Sequence, residues 1–213
     1  MKEISILILS YLLGSIPFGF IFTKIFAKKN ILEIGWRKTS GSNVFRNVGI
    51  LPGLLTGICD VFKGSLSVYL AKKLGFSLEI QSLCGLFAVL GHNWSCFLKF
   101  AGGRGVGTFL GSLLILSPKI ILYSLGPTLF VVLTVDSSIA TILFLIFSII
   151  LSFNTQVLIF TLPTFFFILL KRLSPVVELS FKNKQLILSR LVFDDEKFHQ
   201  MRVRKIIQRL TKK

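Results

Sequence analysis

The densest group of chemically useful residues lies in a glycine-rich turn around Arg104. Glycines leave backbone N–H groups open to an anion, a following helix N-terminus adds positive potential, and a guanidinium donates two parallel hydrogen bonds. This pattern predicts a cradle for phosphate; a tight re-entrant turn with a snorkelling arginine is the alternative. The nucleotide-binding signature GxxxxGK[ST] is absent. The candidate phosphate-binding residues of this segment are Gly102, Gly103, Arg104, Gly105 and Thr108.

A second polar turn precedes another apolar stretch and carries hydroxyl groups, an amide and an arginine. Such groups at the start of a helix suit an anion, and an ordinary helix cap with a loop arginine is an equal alternative. Because the chain has few other polar segments, the two turns together favour one shared phosphate site. The candidates here are Ser40, Ser42, Asn43 and Arg46.

Three more ionisable residues lie in or at the ends of apolar stretches, where an unpaired charge costs several kcal/mol. Asp60 and Lys63 are one helical turn apart, so they can pair with each other, and Lys63 is equally a candidate for binding substrate. His92 suits a base or a hydrogen-bond donor near neutral pH, although a lone histidine at a helix end is more commonly structural. The three cysteines have no CxxC spacing and are expected to be small buried apolar residues rather than metal ligands.

The elements that must position these residues are apolar helices. Of the 213 residues 53% are hydrophobic and 16% charged, whereas soluble domains carry about 25% charged residues. A membrane span needs roughly 20 apolar residues, so we predict an all-α polytopic integral membrane protein with about seven transmembrane helices and re-entrant polar loops. Residues 1–171 form the membrane domain and 172–213 a basic tail. The predicted spans are 4–26, 48–70, 78–97, 106–116, 120–135, 139–153 and 156–170.

The net charge of +16 is concentrated in loops and in the tail. This distribution fits anionic lipid headgroups or phosphate substrates and argues against a nucleic-acid partner. The excess of Lys and Arg in loop one (27–46) and loop three (99–105) predicts that these loops and the C-terminus are cytoplasmic and the N-terminus outside. Within the tail, 191–213 is predicted as a surface helix with Asp194 in its first turn. Glycines four residues apart, at 49, 53 and 57 and at 103, 107 and 111, predict close helix packing.

Four blocks of this chain, in order and spacing, resemble the bacterial PlsY-type glycerol-3-phosphate acyltransferases. Ser137 and Ser138 also resemble the small-residue motif that opens the sixth helix of that family. The four blocks are residues 11–19, 42–46, 60–64 and 91–108.

The resemblance implies a seven-helix enzyme of the bacterial inner membrane. It would transfer a fatty acyl group from acyl-phosphate to glycerol 3-phosphate, giving lysophosphatidate and phosphate in the first step of phospholipid synthesis. No metal, other cofactor or acyl-CoA is implied. His92, Arg104 and Arg46 are the catalytic candidates, with a substrate phosphate oxygen as the alternative base to His92. Ser138 joins the candidate phosphate ligands, and Asp60 is a structural or charge partner.

The chain departs from that family in three places. The family's loop one reads SGNxGATN, whereas this chain has WRKTSGSN at residues 36–43. The lysine of the family's GGKGV motif is Arg104, and Ser174 and Pro175 stand where the family has an Asn-Glu pair. These departures support the alternative hypothesis of a catalytically inactive relative or a small-anion membrane carrier.

Overall fold

The computed structural model describes residues 1–173 and 184–194, and every regular element within these two ranges is helical. Short 3₁₀ turns at Ile31–Glu33 and Cys96–Leu98 lie in the first and third loops. The α-helices are α1 (Lys2–Ser15), α2 (Phe18–Ala27), α3 (Gly41–Asn47), α4 (Ile50–Lys73), α5 (Leu78–Asn93), α6 (Val106–Leu116), α7 (Pro118–Thr134), α8 (Ser137–Ser152), α9 (Leu158–Arg172) and α10 (Lys184–Phe193).

The seven predicted spans correspond to α1 with α2, and to α4 through α9. Pro17 separates α1 from α2, because proline lacks the N–H that would continue the helix. Two stretches, Lys2–Ala27 and Ile50–Lys73, are by length and composition apolar enough to cross a membrane. The fourth span is short, as its sequence predicts: α6 has 11 residues and begins directly after Gly105, whose φ of +77° belongs to the preceding turn.

Small residues let the helix backbones touch. A Cβ on Gly111 would collide with the carbonyl of Val61, and one on Gly64 with the carbonyl of Thr108, so α4 and α6 approach at backbone distance. Gly53 meets the backbone of Phe45 in the same way and holds α3 against α4. The prediction of close packing is confirmed for Gly53 and Gly111.

Aromatic side chains build the core between α6, α8 and α9. Phe109 stacks on Phe160 with ring centroids 4.9 Å apart and meets Phe144 edge-on at 5.7 Å. On the outer surface, large apolar side chains such as Leu122 and Phe130 are about 70% exposed. Such a surface is suited to lipid rather than water.

Loop one, loop three and the C-terminal end of α9 lie together at one end of the bundle. The amide of Thr39 donates to Gly102 O at 3.3 Å, and Lys38 Nζ donates to Lys171 O at 3.1 Å. This meeting agrees with the seven-span topology, in which spans one, three and seven end on the same side.

The structure contradicts the predicted surface helix over 191–213 at its first four residues, since 191–193 form the end of an earlier helix and Asp194 is not helical. Helix α10 ends at Phe193, and Asp194 follows it with φ of +55°. Its carboxylate is drawn back to Arg104 and Lys38, and these ion pairs override its preference for a helix N-terminus. The remainder of that prediction, 195–213, lies outside the described residues.

Candidate active site

A cavity of about 750 Å³ opens where α3 and α4 face α6 and α8. Its lining has a polar part and an apolar part. The apolar part includes Phe45, Leu54, Ile58, Val61 and Val106, and the polar part includes Ser40, Ser42, Asp60, His92, Arg104, Ser138, Arg172 and Asp194.

The glycine-rich turn folds back onto the end of α5. The amide of Gly103 donates to His92 O at 3.0 Å, and a Cβ on Gly103 would collide with Nε2 of the His92 ring. A Cβ on Gly102 would collide with the carbonyl oxygens of His92 and Asn93. Only glycine fits at either position, so the turn presents Arg104 from a rigid backbone.

Arg104 is the centre of the polar part, with a side chain only 12% exposed. Its Nε forms an ion pair with the carboxylate of Asp194, and its Nη2 donates to Asp194 O at 3.3 Å. The guanidinium carbon lies 4.4 Å from the centroid of the Trp36 ring. Asp194 thus gives Arg104 acceptor oxygens of the kind that a phosphate offers.

Lys38 approaches the other oxygen of Asp194, with Nζ at 3.5 Å. Burial lowers the pKa of Lys38 from 10.5 to about 8, a shift that Asp194 partly offsets and Arg104 reinforces. The charge of Lys38 is therefore sensitive to pH near neutrality.

Loop one is shaped by Asn43, which is completely buried. Its amide group donates to Ile34 O at 3.1 Å and to Lys38 O at 2.9 Å, while its Oδ1 accepts from the amide of Trp36 at 3.0 Å. The hydroxyls of Ser40 and Ser42 are 3.4 Å apart, and both residues line the cavity.

Asp60 of α4 joins two buried basic groups inside the helix bundle. Lys63 Nζ is 3.1 Å from its carboxylate and also donates to Ile16 O at 2.9 Å. His92 Nδ1 lies 3.4 Å from the same carboxylate oxygen. The pairing of Asp60 with Lys63 is confirmed; Asp60 and His92 line the cavity, whereas Lys63 does not.

The end of α10 closes over the site through Ser138 and Arg172. The Ser138 hydroxyl donates to Phe193 O at 2.9 Å. Arg172 donates to Ser138 O at 3.0 Å and to Leu191 O at 2.7 Å. Sequence reasoning missed both Arg172 and Asp194 as members of the site. The one signal for Arg172 was that Lys171 and Arg172 end an apolar span. Such a basic pair is also common where a span ends in the cytoplasm, so it did not indicate a site.

The structure thus separates the candidate residues into two groups. Those at the cavity wall are Ser40, Ser42, Asp60, His92, Arg104, Gly105 and Ser138. Those that support the wall from behind or beside it are Asn43, Arg46, Lys63, Gly102, Gly103 and Thr108. Their roles toward a substrate stay predictions.

Comparison with known proteins decides the family. The family model described as glycerol-3-phosphate acyltransferase matches residues 4–180. The chain belongs to this family. A glycerol-3-phosphate acyltransferase of Enterococcus faecalis is 35% identical over 163 residues, which cover 76% of this chain and 74% of that relative.

Other matches to this acyltransferase family are shorter. Relatives from Deinococcus radiodurans and Dehalococcoides mccartyi are 43% and 42% identical over 125 and 113 residues. These stretches span only 60% and 54% of the length of the two relatives.

Solved structures match over nearly the whole fold. The crystal structure of PlsY, an integral membrane glycerol 3-phosphate acyltransferase, in its glycerol 3-phosphate form, has a TM-score of 0.77 and 25% identity. The match covers 97% of this chain and 99% of that protein, and the lysophosphatidic acid form gives a TM-score of 0.75. With the apolar spans and outer surface, this likeness makes the chain an all-helical integral membrane protein.

Proposed function

We propose that this chain transfers a fatty acyl group from acyl-phosphate to a hydroxyl of glycerol 3-phosphate, forming lysophosphatidate and inorganic phosphate. The observation that carries the proposal is a single cavity whose lining joins cations and hydroxyls to apolar side chains. A site for acylating a phosphorylated alcohol needs both parts next to each other. The crystal structures of PlsY in a glycerol 3-phosphate form and in a lysophosphatidic acid form support this substrate and this product.

The polar part suits the phosphate groups. Arg104 offers a forked donor, and Ser40 and Ser42 offer hydroxyls. Arg46 and Arg104 both lie over the ring of Trp36. Preorganised donors of this kind also stabilise the negative charge that develops as an acyl carbonyl is attacked. Asp194 neutralises part of this charge, so we expect phosphate binding to compete with the Arg104–Asp194 ion pair.

The apolar part suits the acyl chain. Leu54 and Ile58 of α4 line the cavity and are each more than half exposed, so we expect the apolar part of the cavity to open toward lipid along α4. A fatty chain can therefore pass from the cavity to the bilayer without crossing water. Acyl-phosphate fits the site as donor because its activated carbonyl is attached directly to a phosphate, which the cation-rich part can hold.

In the proposed reaction, a glycerol 3-phosphate hydroxyl oxygen attacks the acyl carbonyl carbon. The bond between that carbon and the phosphate oxygen breaks, and phosphate leaves. The hydroxyl proton passes to His92, which Asp60 orients from 3.4 Å, or to a phosphate oxygen of the substrate. Since acyl-phosphate is already activated, positioning of the hydroxyl is the main task of the protein.

We further propose that the site faces the cytoplasm of a bacterial inner membrane, with the N-terminus outside. The basic loops one and three meet at the site end of the bundle, and loops rich in Lys and Arg remain cytoplasmic. Soluble glycerol 3-phosphate would reach the cavity from this side.

The test uses the full chain purified into lipid vesicles and supplied with labelled glycerol 3-phosphate. We expect lysophosphatidate with palmitoyl-phosphate as donor, little with palmitoyl-coenzyme A, and at least about a hundredfold loss in Arg104→Ala. Absence of product from well-folded wild-type protein with either donor would refute the proposal and favour an inactive relative. Product from the coenzyme A donor alone would refute the acyl-phosphate assignment.

A further inference from the structure

One aromatic ring, that of Trp36, contacts both arginines of the polar turns. The guanidinium carbon of Arg46 is 4.5 Å from the centroid of the Trp36 ring, and that of Arg104 is 4.4 Å from it. Both distances are well inside the range of about 6 Å in which a cation over an indole face is attracted. Trp36 therefore joins a side chain of loop one, at the end of α3, to a side chain of loop three.

This contact solves a physical problem of the site. The guanidinium groups of Arg46 and Arg104 both lie within 4.5 Å of one ring centroid, so the two positive charges are close enough to repel each other. Arg46 is exposed, and an exposed arginine ordinarily samples many rotamers in solvent. The negative face of the indole stabilises both charges at once and keeps Arg46 beside Arg104 before any phosphate arrives.

Trp36 is itself held in place from behind. Its backbone amide donates to Oδ1 of the buried Asn43, whose own amide group spans loop one to the carbonyls of Ile34 and Lys38. The ring is therefore attached to a rigid loop rather than to a freely moving one. This tryptophan lies in the WRKT segment, where the chain departs from the SGNx pattern of the similar family.

We propose that Trp36 is a positioning residue, which holds the guanidinium groups of Arg46 and Arg104 together as one phosphate-binding unit and thereby sets the affinity for glycerol 3-phosphate. The inference rests on the proposed function of the same site. It assigns to loop one of this chain a way of arranging its cations through an aromatic ring.

The first experiment compares Trp36→Ala with Trp36→Phe in the vesicle assay. Loss of the ring should raise KM for glycerol 3-phosphate about tenfold, while kcat and the KM for acyl-phosphate stay within about threefold of wild type. Phenylalanine keeps an aromatic face and should hold KM for glycerol 3-phosphate within about threefold. The matched control is Phe20→Ala, which removes a ring from under Lys24 at 5.8 Å, outside the cavity, and should leave all constants unchanged.

Three results of this comparison would overturn the inference. These are an unchanged KM in Trp36→Ala, a phenylalanine variant as impaired as the alanine variant, and an equal effect of Phe20→Ala. A general loss of packing would lower kcat and thermal stability in both Trp36 variants instead of raising one KM.

A second measurement does not depend on turnover. The chain has two tryptophans, so Trp94→Phe leaves Trp36 as the sole indole. Titration with glycerol 3-phosphate should change the fluorescence of Trp36, because phosphate binding changes the positions of the two guanidinium groups over the ring. An unchanged signal at saturation, together with catalytic activity, would refute the positioning role. If the wild type forms no product, the proposed acyl transfer fails, and this titration still decides whether Trp36 reports phosphate binding.

Discussion

Gly57 offers a way to fill the cavity without disturbing the helices around it. The residue lines the cavity on α4, and a Cβ added there meets no atom within 4 Å. Gly53, one turn earlier, differs because a Cβ there would collide with the backbone of Phe45. Substitutions at Gly57 are therefore expected to fold and to occupy volume that we assign to the acyl chain.

The magnitude follows from the apolar area that the chain loses. Leucine at position 57 adds four carbons and displaces roughly three to four methylenes, each worth about 0.8 kcal/mol when buried. The loss of about 2.5 to 3 kcal/mol corresponds to a roughly 60- to 150-fold lower apparent affinity for a long donor. Gly57→Ala displaces about one methylene and should cost roughly fourfold.

The assay measures KM and kcat/KM for palmitoyl-phosphate and octanoyl-phosphate at saturating glycerol 3-phosphate. We expect Gly57→Leu to weaken palmitoyl-phosphate strongly, to spare octanoyl-phosphate, and to leave KM for glycerol 3-phosphate unchanged. Gly126→Leu is the matched control, since a Cβ on this α7 glycine also meets no atom within 4 Å and Gly126 does not line the cavity. Equal losses for both donors, or no loss for either, would refute the assignment of this space to the acyl chain.

Two further predictions concern the polar part of the site. Gly103→Ala forces a methyl group against Nε2 of His92 and should lower kcat at least about tenfold. Gly126→Ala is the control and should leave kcat unchanged. Equal kcat values in the two variants would contradict a close fit at His92. Burial sets the pKa of Lys38 at about 8, below its value of 10.5 in the unfolded chain, so Lys38 loses its charge as pH rises through 8. KM for glycerol 3-phosphate should therefore rise between about pH 7 and 9. Lys38→Arg stays charged in this range and should remove most of the rise. If KM rises equally in that variant, another group causes the pH dependence. Because the unfolded chain binds more protons between about 8 and 10.5, this group adds stability as pH rises across that window, so a thermal melt at each pH separates the two effects.

Much of the fold was predictable because lipid imposes a simple rule on sequence. A span must be long and apolar, and most charged residues of the first 171 lie in the breaks between the predicted spans. The third predicted span ended at residue 97, whereas α5 ends at Asn93. The four residues between are apolar or small, and composition alone does not show that Ser95 leaves the helix to donate to Ser15 O.

The site was predictable where the residues lay in one turn. Arg104, Ser40 and Ser42 were recognised from local pattern, and all three line the cavity. The same pattern predicts that Asn43 binds phosphate, whereas in the structure its side-chain amide donates hydrogen bonds to backbone carbonyls of loop one. The phosphate role of Asn43 stays a prediction.

The rest of the site depends on contacts between distant parts of the chain. Asp194 lies 90 residues from Arg104, and its local sequence favours a helix N-terminus rather than an ion pair. Trp36 reads as an ordinary aromatic loop residue until both arginines are seen over its ring. Tertiary geometry decides such roles, and a single sequence carries no separate signal for them.

We propose that loops one and three form one binding site for the phosphate of glycerol 3-phosphate. An experimental structure of the full chain in lipid, with glycerol 3-phosphate bound, would show where this phosphate lies. We expect the phosphate within hydrogen-bonding distance of the Arg104 guanidinium, beside Ser40 and Ser42, with the Asp194 carboxylate displaced. A phosphate bound at the opposite end of the bundle, or one that leaves the Arg104–Asp194 ion pair intact and contacts neither loop, would contradict the claim.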